Sequence, residues 1–68
     1  MSTFTAIIHR EENLYVAECP EVGSVSQGLT IEEALENLKE ATELYLEERE
    51  FVPQSRTFIT TFEAAVNV

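Results

Sequence analysis

The sequence predicts an α+β fold of order β-β-β-α-β: an antiparallel three-stranded meander plus a fourth strand, with one helix packed on one face. Three observations predict it. Stretches rich in β-branched and aromatic residues, with apolar positions falling on alternate sides, occur at Thr3–Arg10, Leu14–Cys19 and Arg56–Phe62. A single long stretch after Thr30 repeats its apolar residues at helical spacing. Only short polar breaks separate the first three strands, so a meander carrying one helix is the economical packing. The helix then returns the chain, and the last strand is expected beside and parallel to the first.

Each element has its local cause. In the first strand Phe4, Ala6 and Ile8 share one face, and Thr5, Ile7 and His9 share the other. Glu11-Glu12-Asn13 is the turn, with Asn13 expected in the left-handed conformation. Leu14–Cys19 completes a hairpin, and Pro20 ends it because proline has no N–H for the ladder. A Pro-Glu-Val-Gly loop leads to a short third strand, Ser24–Gln27, and Gly28 marks the passage to the helix. Thr30 is the expected N-cap, and Glu33 three residues on makes a capping box. The helix is expected to run to about Arg49, with Pro53 following the stop. Ile31, Ala34, Leu35, Leu38, Ala41, Thr42, Tyr45 and Leu46 fall on its apolar face. Glu32, Glu36, Glu40, Glu43, Glu47 and Glu50 fall on the opposite face at spacings of three or four, and Leu44 lies on the polar side of the boundary. Ile7 on the far face of the sheet is a reason to expect a dimer through that face, or a partner on it.

Residues 1–68 read as one domain near the lower limit for independent folding, which gains much from a partner or a second copy. No run is long enough to cross a bilayer, and the N-terminus has no basic and apolar regions of the kind that mark secretion. The single cysteine, Cys19, has no partner for an internal disulfide, and the expected location is cytoplasmic. Thirteen acidic residues, all Glu, face four basic ones, a net charge of −9. With only Arg10, Lys39, Arg49 and Arg56 to neutralise phosphates, direct nucleic-acid binding is not expected, nor is binding to an anionic membrane. A basic partner is the natural complement.

Like charges one turn apart destabilise a helix by roughly 0.2–0.5 kcal/mol per pair. Glu47, Glu48 and Glu50 also sit where the helix dipole disfavours anions. Lys39 is expected to offset part of this by pairing with Glu36 and Glu43. The stripe reads either as a solvated face that keeps a small protein soluble or as a docking surface for a basic protein. Leu44 is the leading interface candidate beside it, against the plain reading of a single exposed leucine. His9 reads as an exposed strand-end residue, and Cys19 as a small buried hydrophobe. Glu18 and Glu21 flank the proline loop with no recognisable partner. One His, one Cys and no Asp give no metal-ligand spacing, and no nucleophile motif or phosphate-cradling glycine loop is present. No catalytic residue, cofactor or metal is therefore expected, and the chain is not expected to be an enzyme.

The stretch YVAECPEVGSVSQGLTIEEALENLKEATELYLEE resembles the HicB-like antitoxin family, the stand-alone UPF0150-type domain. The resemblance runs from Cys19-Pro20 through Gly23, Ser26, Gly28 and Thr30 into Glu33-Ala34 and the Leu-Tyr-Leu at the helix end. With the first strand and the exit at Pro53–Ser55 it covers nearly the whole chain. It implies a reduced ribonuclease-H-like fold and a partner that is a small basic toxin of the HicA type. Such toxins resemble a double-stranded-RNA-binding domain and cleave mRNA through a histidine. It also implies self-association as dimers or tetramers, without nuclease activity. The first strand agrees, since TFTAIIHR carries no carboxylate where a ribonuclease-H fold places a metal ligand. With Val68 the last residue, the DNA-binding domain of many family members, and their autoregulation, are not carried over. Glu32, Glu36, Glu40, Glu43 and Leu44 are the expected partner-binding residues, chosen from helix geometry. The alternative is a stand-alone homo-oligomeric module, regulatory or scaffolding, with no toxin. A residual metal-dependent nuclease is a distant third.

Overall fold

The computed structural model describes residues 2–49 and 57–67. Three strands, β1 (Ile7–Glu11), β2 (Leu14–Cys19) and β3 (Ser24–Gly28), precede one helix, α1 (Ile31–Glu47). The sheet order is β1-β2-β3, and both pairings are antiparallel, as the α+β meander requires. Ile8 faces Ala17 across the first ladder, and Ala17 faces Ser26 across the second. This register puts Phe4, Ala6, Ile8, Tyr15, Ala17 and Cys19 on the helix side, where Ala17, Cys19, Ala34 and Leu38 form the buried core.

β1 is shorter than its alternation suggests. Its ladder starts at Ile7 opposite Glu18, and β2 ends one residue later before Pro20, so Thr3–Ala6 has no ladder to join. The first turn also differs from expectation. Glu12, not Asn13, takes the positive φ, at 53°. Glu11 pairs with Leu14, so Glu12 and Asn13 form a two-residue hairpin loop, and the left-handed residue sits at its first position. That is the placement of a type II′ turn, whereas a positive φ at the second position, where Asn13 sits, belongs to type I′ or type II turns.

Thr30 is the N-cap: its side chain accepts from the Glu33 N–H at 3.0 Å. The reciprocal half of the box is displaced by one residue, since Glu33 Oε1 accepts from the Leu29 N–H at 2.9 Å. Two orphan donors at the helix entrance are still satisfied. At the other end Glu48 is the C-cap and the last turn has no basic residue, so α1 ends slightly before Arg49. Arg49 instead stacks its guanidinium over Tyr45 at 4.5 Å.

α1 packs chiefly on β3 and then on β2. Three side-chain hydrogen bonds fix it there. Ser26 Oγ donates to the Ala34 carbonyl at 2.8 Å, and Asn37 Nδ2 donates to the Gln27 carbonyl at 2.8 Å. The buried hydroxyls of Ser24 and Thr42 share a bond of 2.6 Å. The approach is close enough to dictate a glycine: a Cβ on Gly28 would lie 2.5 Å from the Ala34 nitrogen.

The expected fourth strand does not join the sheet. Residues 57–67 carry no strand pairing, and every one of them is exposed. A strand exists only with a ladder partner, and the sheet formed by the described residues has three strands. Arg56, where that strand was expected to begin, lies outside the described residues, as do Glu50 of the acidic stripe and the Pro53–Ser55 exit.

Candidate functional site

The helix presents its carboxylates as the sequence implies. Glu32, Glu36, Glu40 and Glu43 are all exposed on α1. Leu44 is 62% exposed and follows Glu40 by one turn, so an apolar side chain stands among acids. The expected pairing of Lys39 with Glu36 and Glu43 is not formed. Among the described residues the one contact between a basic and an acidic side chain is His9 Nε2 to Glu11 Oε1, at 3.8 Å on the exposed end of the hairpin. The negative charge of α1 is thus left to solvent along its outer side.

The apolar face of the helix is split in two. Ala34, Leu38 and Thr42 are buried against the sheet, while Leu35 remains 47% exposed and Ile31 48%. The cause is lateral placement. Because α1 sits over β3 and β2, the helix-side residues leading into β1 are left beside it, with an open groove of about 600 Å³ between. Phe4, Ala6, Leu35, Leu38 and Leu46 line it, and Glu36 and Glu43 from the acidic stripe stand in the same lining. The apolar groove and the acidic stripe are therefore adjacent. The opposite face of the sheet also keeps apolar residues at its surface: Ile7 is 45% exposed and Val25 is 58%.

Glu21 acquires partners that its sequence neighbours do not suggest. Its carboxylate accepts the Thr5 N–H at 2.9 Å and the Thr5 hydroxyl at 2.5 Å, and the Cys19 thiol at 3.3 Å. Bonds from Thr5, then from Thr57 and Cys19, outweigh partial burial and hold its pKa at about 2, from an ordinary 4.5. The residue between, Val22, and Gly23 donate back to the Cys19 carbonyl, with Gly23 at φ 90° closing the loop. Glu21 thus ties the loop after β2 to the segment before β1, sixteen residues away. Cys19 is buried as expected, and burial pushes its thiol pKa up, which opposes reactivity. No cluster of three or more His, Cys, Asp or Glu residues able to hold a metal occurs among the described residues. No helix among them is long and apolar enough to cross a membrane.

The arrangement can do two things: present a charged surface and offer an apolar groove. The chain is 44% identical, over an alignment of 66 residues, to a protein of Helicobacter pylori (strain J99 / ATCC 700824) described as "UPF0150 protein". The match covers 88% of this chain and 92% of that protein. No protein-family model matches the chain, and no solved structure matches it significantly.

Proposed function

This chain belongs to the UPF0150 family of HicB-like proteins, and we propose that it is an antitoxin-like protein that binds and inhibits a small basic, mRNA-cleaving toxin of the HicA type. One observation carries the reading: Glu32, Glu36, Glu40 and Glu43 stand exposed and uncompensated on α1, in a chain of net charge −9. A toxin that grips RNA must present Lys and Arg to phosphates. An acidic helix meets that surface with complementary potential and competes with RNA for it. Leu44, ringed by acids, supplies the apolar anchor that charge alone lacks. Inhibition is stoichiometric occlusion of the toxin's RNA surface and its histidine. The protein itself acts by binding, without catalysis or a cofactor. On this reading the complete unit is reduced ribonuclease-H-like, and residues 57–62 supply its fourth strand once they find an edge to pair with.

The test is co-expression with a small basic protein encoded beside it, scoring growth rescue and co-purification together. Rescue with a complex that weakens as salt rises supports the proposal, and a toxic neighbour that is neither rescued nor co-purified overturns it. A second reading, a homo-oligomeric regulatory or scaffolding module without a toxin, is favoured by the exposed apolar residues at 57–67. It predicts an oligomer indifferent to small basic proteins.

A further inference from the structure

Two features of the fold are complementary, and the described residues of one chain do not bring them together. The first is the outer side of β1, the end strand of the three-stranded sheet, together with residues 2–6 leading into it, of which Phe4 and Ala6 line the groove of about 600 Å³ beside α1. An edge strand offers a row of backbone donors and acceptors to any strand that can reach it. The second is the arm, residues 57–67, all of it exposed. Phe58 is 85% exposed, Ile59 74%, Phe62 88% and Val66 75%. Surface phenylalanines at this exposure, in a series, mark an interaction segment and not a solvated tail.

The pattern of the arm fits the groove. Phe58, Thr60, Phe62, Ala64 and Val66 alternate with Thr57, Ile59, Thr61, Glu63 and Ala65. In an extended strand one side is therefore apolar from Phe58 to Val66 and the other mostly polar. From residue 58 to residue 66 such a strand spans about 27 Å at roughly 3.3 Å per residue. The helix side of the groove, from Leu35 to Leu46, is about 17 Å long at 1.5 Å per residue, so the arm is long enough to span it. An arm laid on β1 would turn its phenylalanines toward Phe4, Leu35 and Leu46 and close the groove along its length. Among the described residues nothing provides this closure: Thr57 bonds Glu21, and residues 57–67 are all exposed.

We infer that two copies of this chain exchange residues 57–67, each arm adding a strand to the partner copy's β1 edge and filling the groove between residues 2–6 and α1. Exchange of one identical element between protomers closes on a twofold axis and satisfies both edges at once. The inference concerns self-assembly and stands apart from the toxin reading. Because both copies are acidic and the contact is apolar, the dimer tightens as salt rises, whereas an acid–base heteromer loosens.

The test uses the full chain. Native mass and light scattering at micromolar concentration are expected to show a dimer. In a sample mixing isotope-labelled and unlabelled chains, contacts between the Phe58 and Phe62 rings and the methyl groups of Leu35 and Leu46 are expected between chains. The double substitution Phe58→Glu with Phe62→Glu is expected to raise the dimer dissociation constant at least about a hundredfold, as loss of two aromatic anchors implies, with far-UV helix content unchanged. If the variant loses its helix, the labelled mixture of the unmodified chain decides. A monomer, ring contacts only within one chain, or a dimer without these contacts would each overturn the inference. None of these readouts depends on a toxin.

Discussion

Replacing Gly28 by alanine adds one methyl group where the helix crosses the sheet. That carbon would meet the Ala34 nitrogen at 2.5 Å, the Glu33 carbonyl carbon at 2.9 Å and the Ala34 Cα at 3.0 Å. Ordinary contacts lie near 3.5–4.0 Å, and all three obstacles are backbone, so no side chain can swing aside. The start of α1 must withdraw by about 1 Å. Overpacking of this kind costs about 1–3 kcal/mol. The withdrawal also stretches the bonds from Ser26 to Ala34 and from Asn37 to Gln27, each worth about 1 kcal/mol net. Against this, alanine restricts the unfolded chain and returns about 0.4–1 kcal/mol. The expected net loss is about 2–4 kcal/mol. At about 4–8 °C per kcal/mol for a domain of this size, Tm falls by roughly 8–32 °C in a far-UV circular dichroism melt. Gly23 is the control: its φ of 90° strains any side chain, but nothing lies within 4 Å of a Cβ there. Gly23→Ala is expected to cost only about 1–2 kcal/mol. A Gly28→Ala protein melting within about 2 °C of the parent, or above Gly23→Ala, would refute the close approach of helix and sheet.

Two further predictions concern hydrogen bonds. Thr42→Val strands the buried Ser24 hydroxyl and is expected to cost about 1–3 kcal/mol in urea denaturation, while adding Ser24→Ala recovers part of that loss, so the two changes are non-additive. Strict additivity would mean the hydroxyls do not share a bond. For Glu21 the folded pKa lies below the unfolded one, so its contribution is fully present above about pH 4.5 and is lost as pH falls toward about 2. Urea midpoints of the parent should therefore drop more steeply across that window than those of Glu21→Gln. Parallel curves would remove Glu21 as the tie between Thr5 and the loop.

Local chemistry made much of this fold legible in the sequence. Pro20 set the end of β2, Thr30 set the start of α1, and the period of the apolar residues set both the faces of the sheet and the exposure of Glu32, Glu36, Glu40 and Glu43. What escaped depends on pairs distant in sequence. Glu21 and Thr5 meet only once β1 and β2 are aligned, and Ser24 and Thr42 only once α1 settles on β3. Each residue looks ordinary alone, although a Thr inside an apolar helical face was a signal that a buried partner awaited it. The helical period also assigned Leu35 to the core, because period fixes a direction around the helix and not its lateral position over the sheet. Alternation in 57–62 likewise identified a segment fit to be a strand, but its expected place beside β1 rested on the helix returning the chain and on no residue of the segment, and residues 57–67 pair with no strand. Glu12 was passed over for Asn13 because residue preference ranks the types, while the loop's register decides which position must turn left-handed.

If the acidic face of α1 docks a basic protein, the affinity depends on those carboxylates and on salt. The most direct measurement is the affinity of the purified chain for its small basic neighbour, titrated by calorimetry at low and high salt, beside a Glu36→Gln, Glu40→Gln, Glu43→Gln variant. Binding is expected to weaken steeply with salt, and the variant is expected to fold normally, to bind at least about tenfold more weakly and to show a shallower salt dependence. Equal affinities and equal salt slopes for parent and variant would contradict docking by the acidic face.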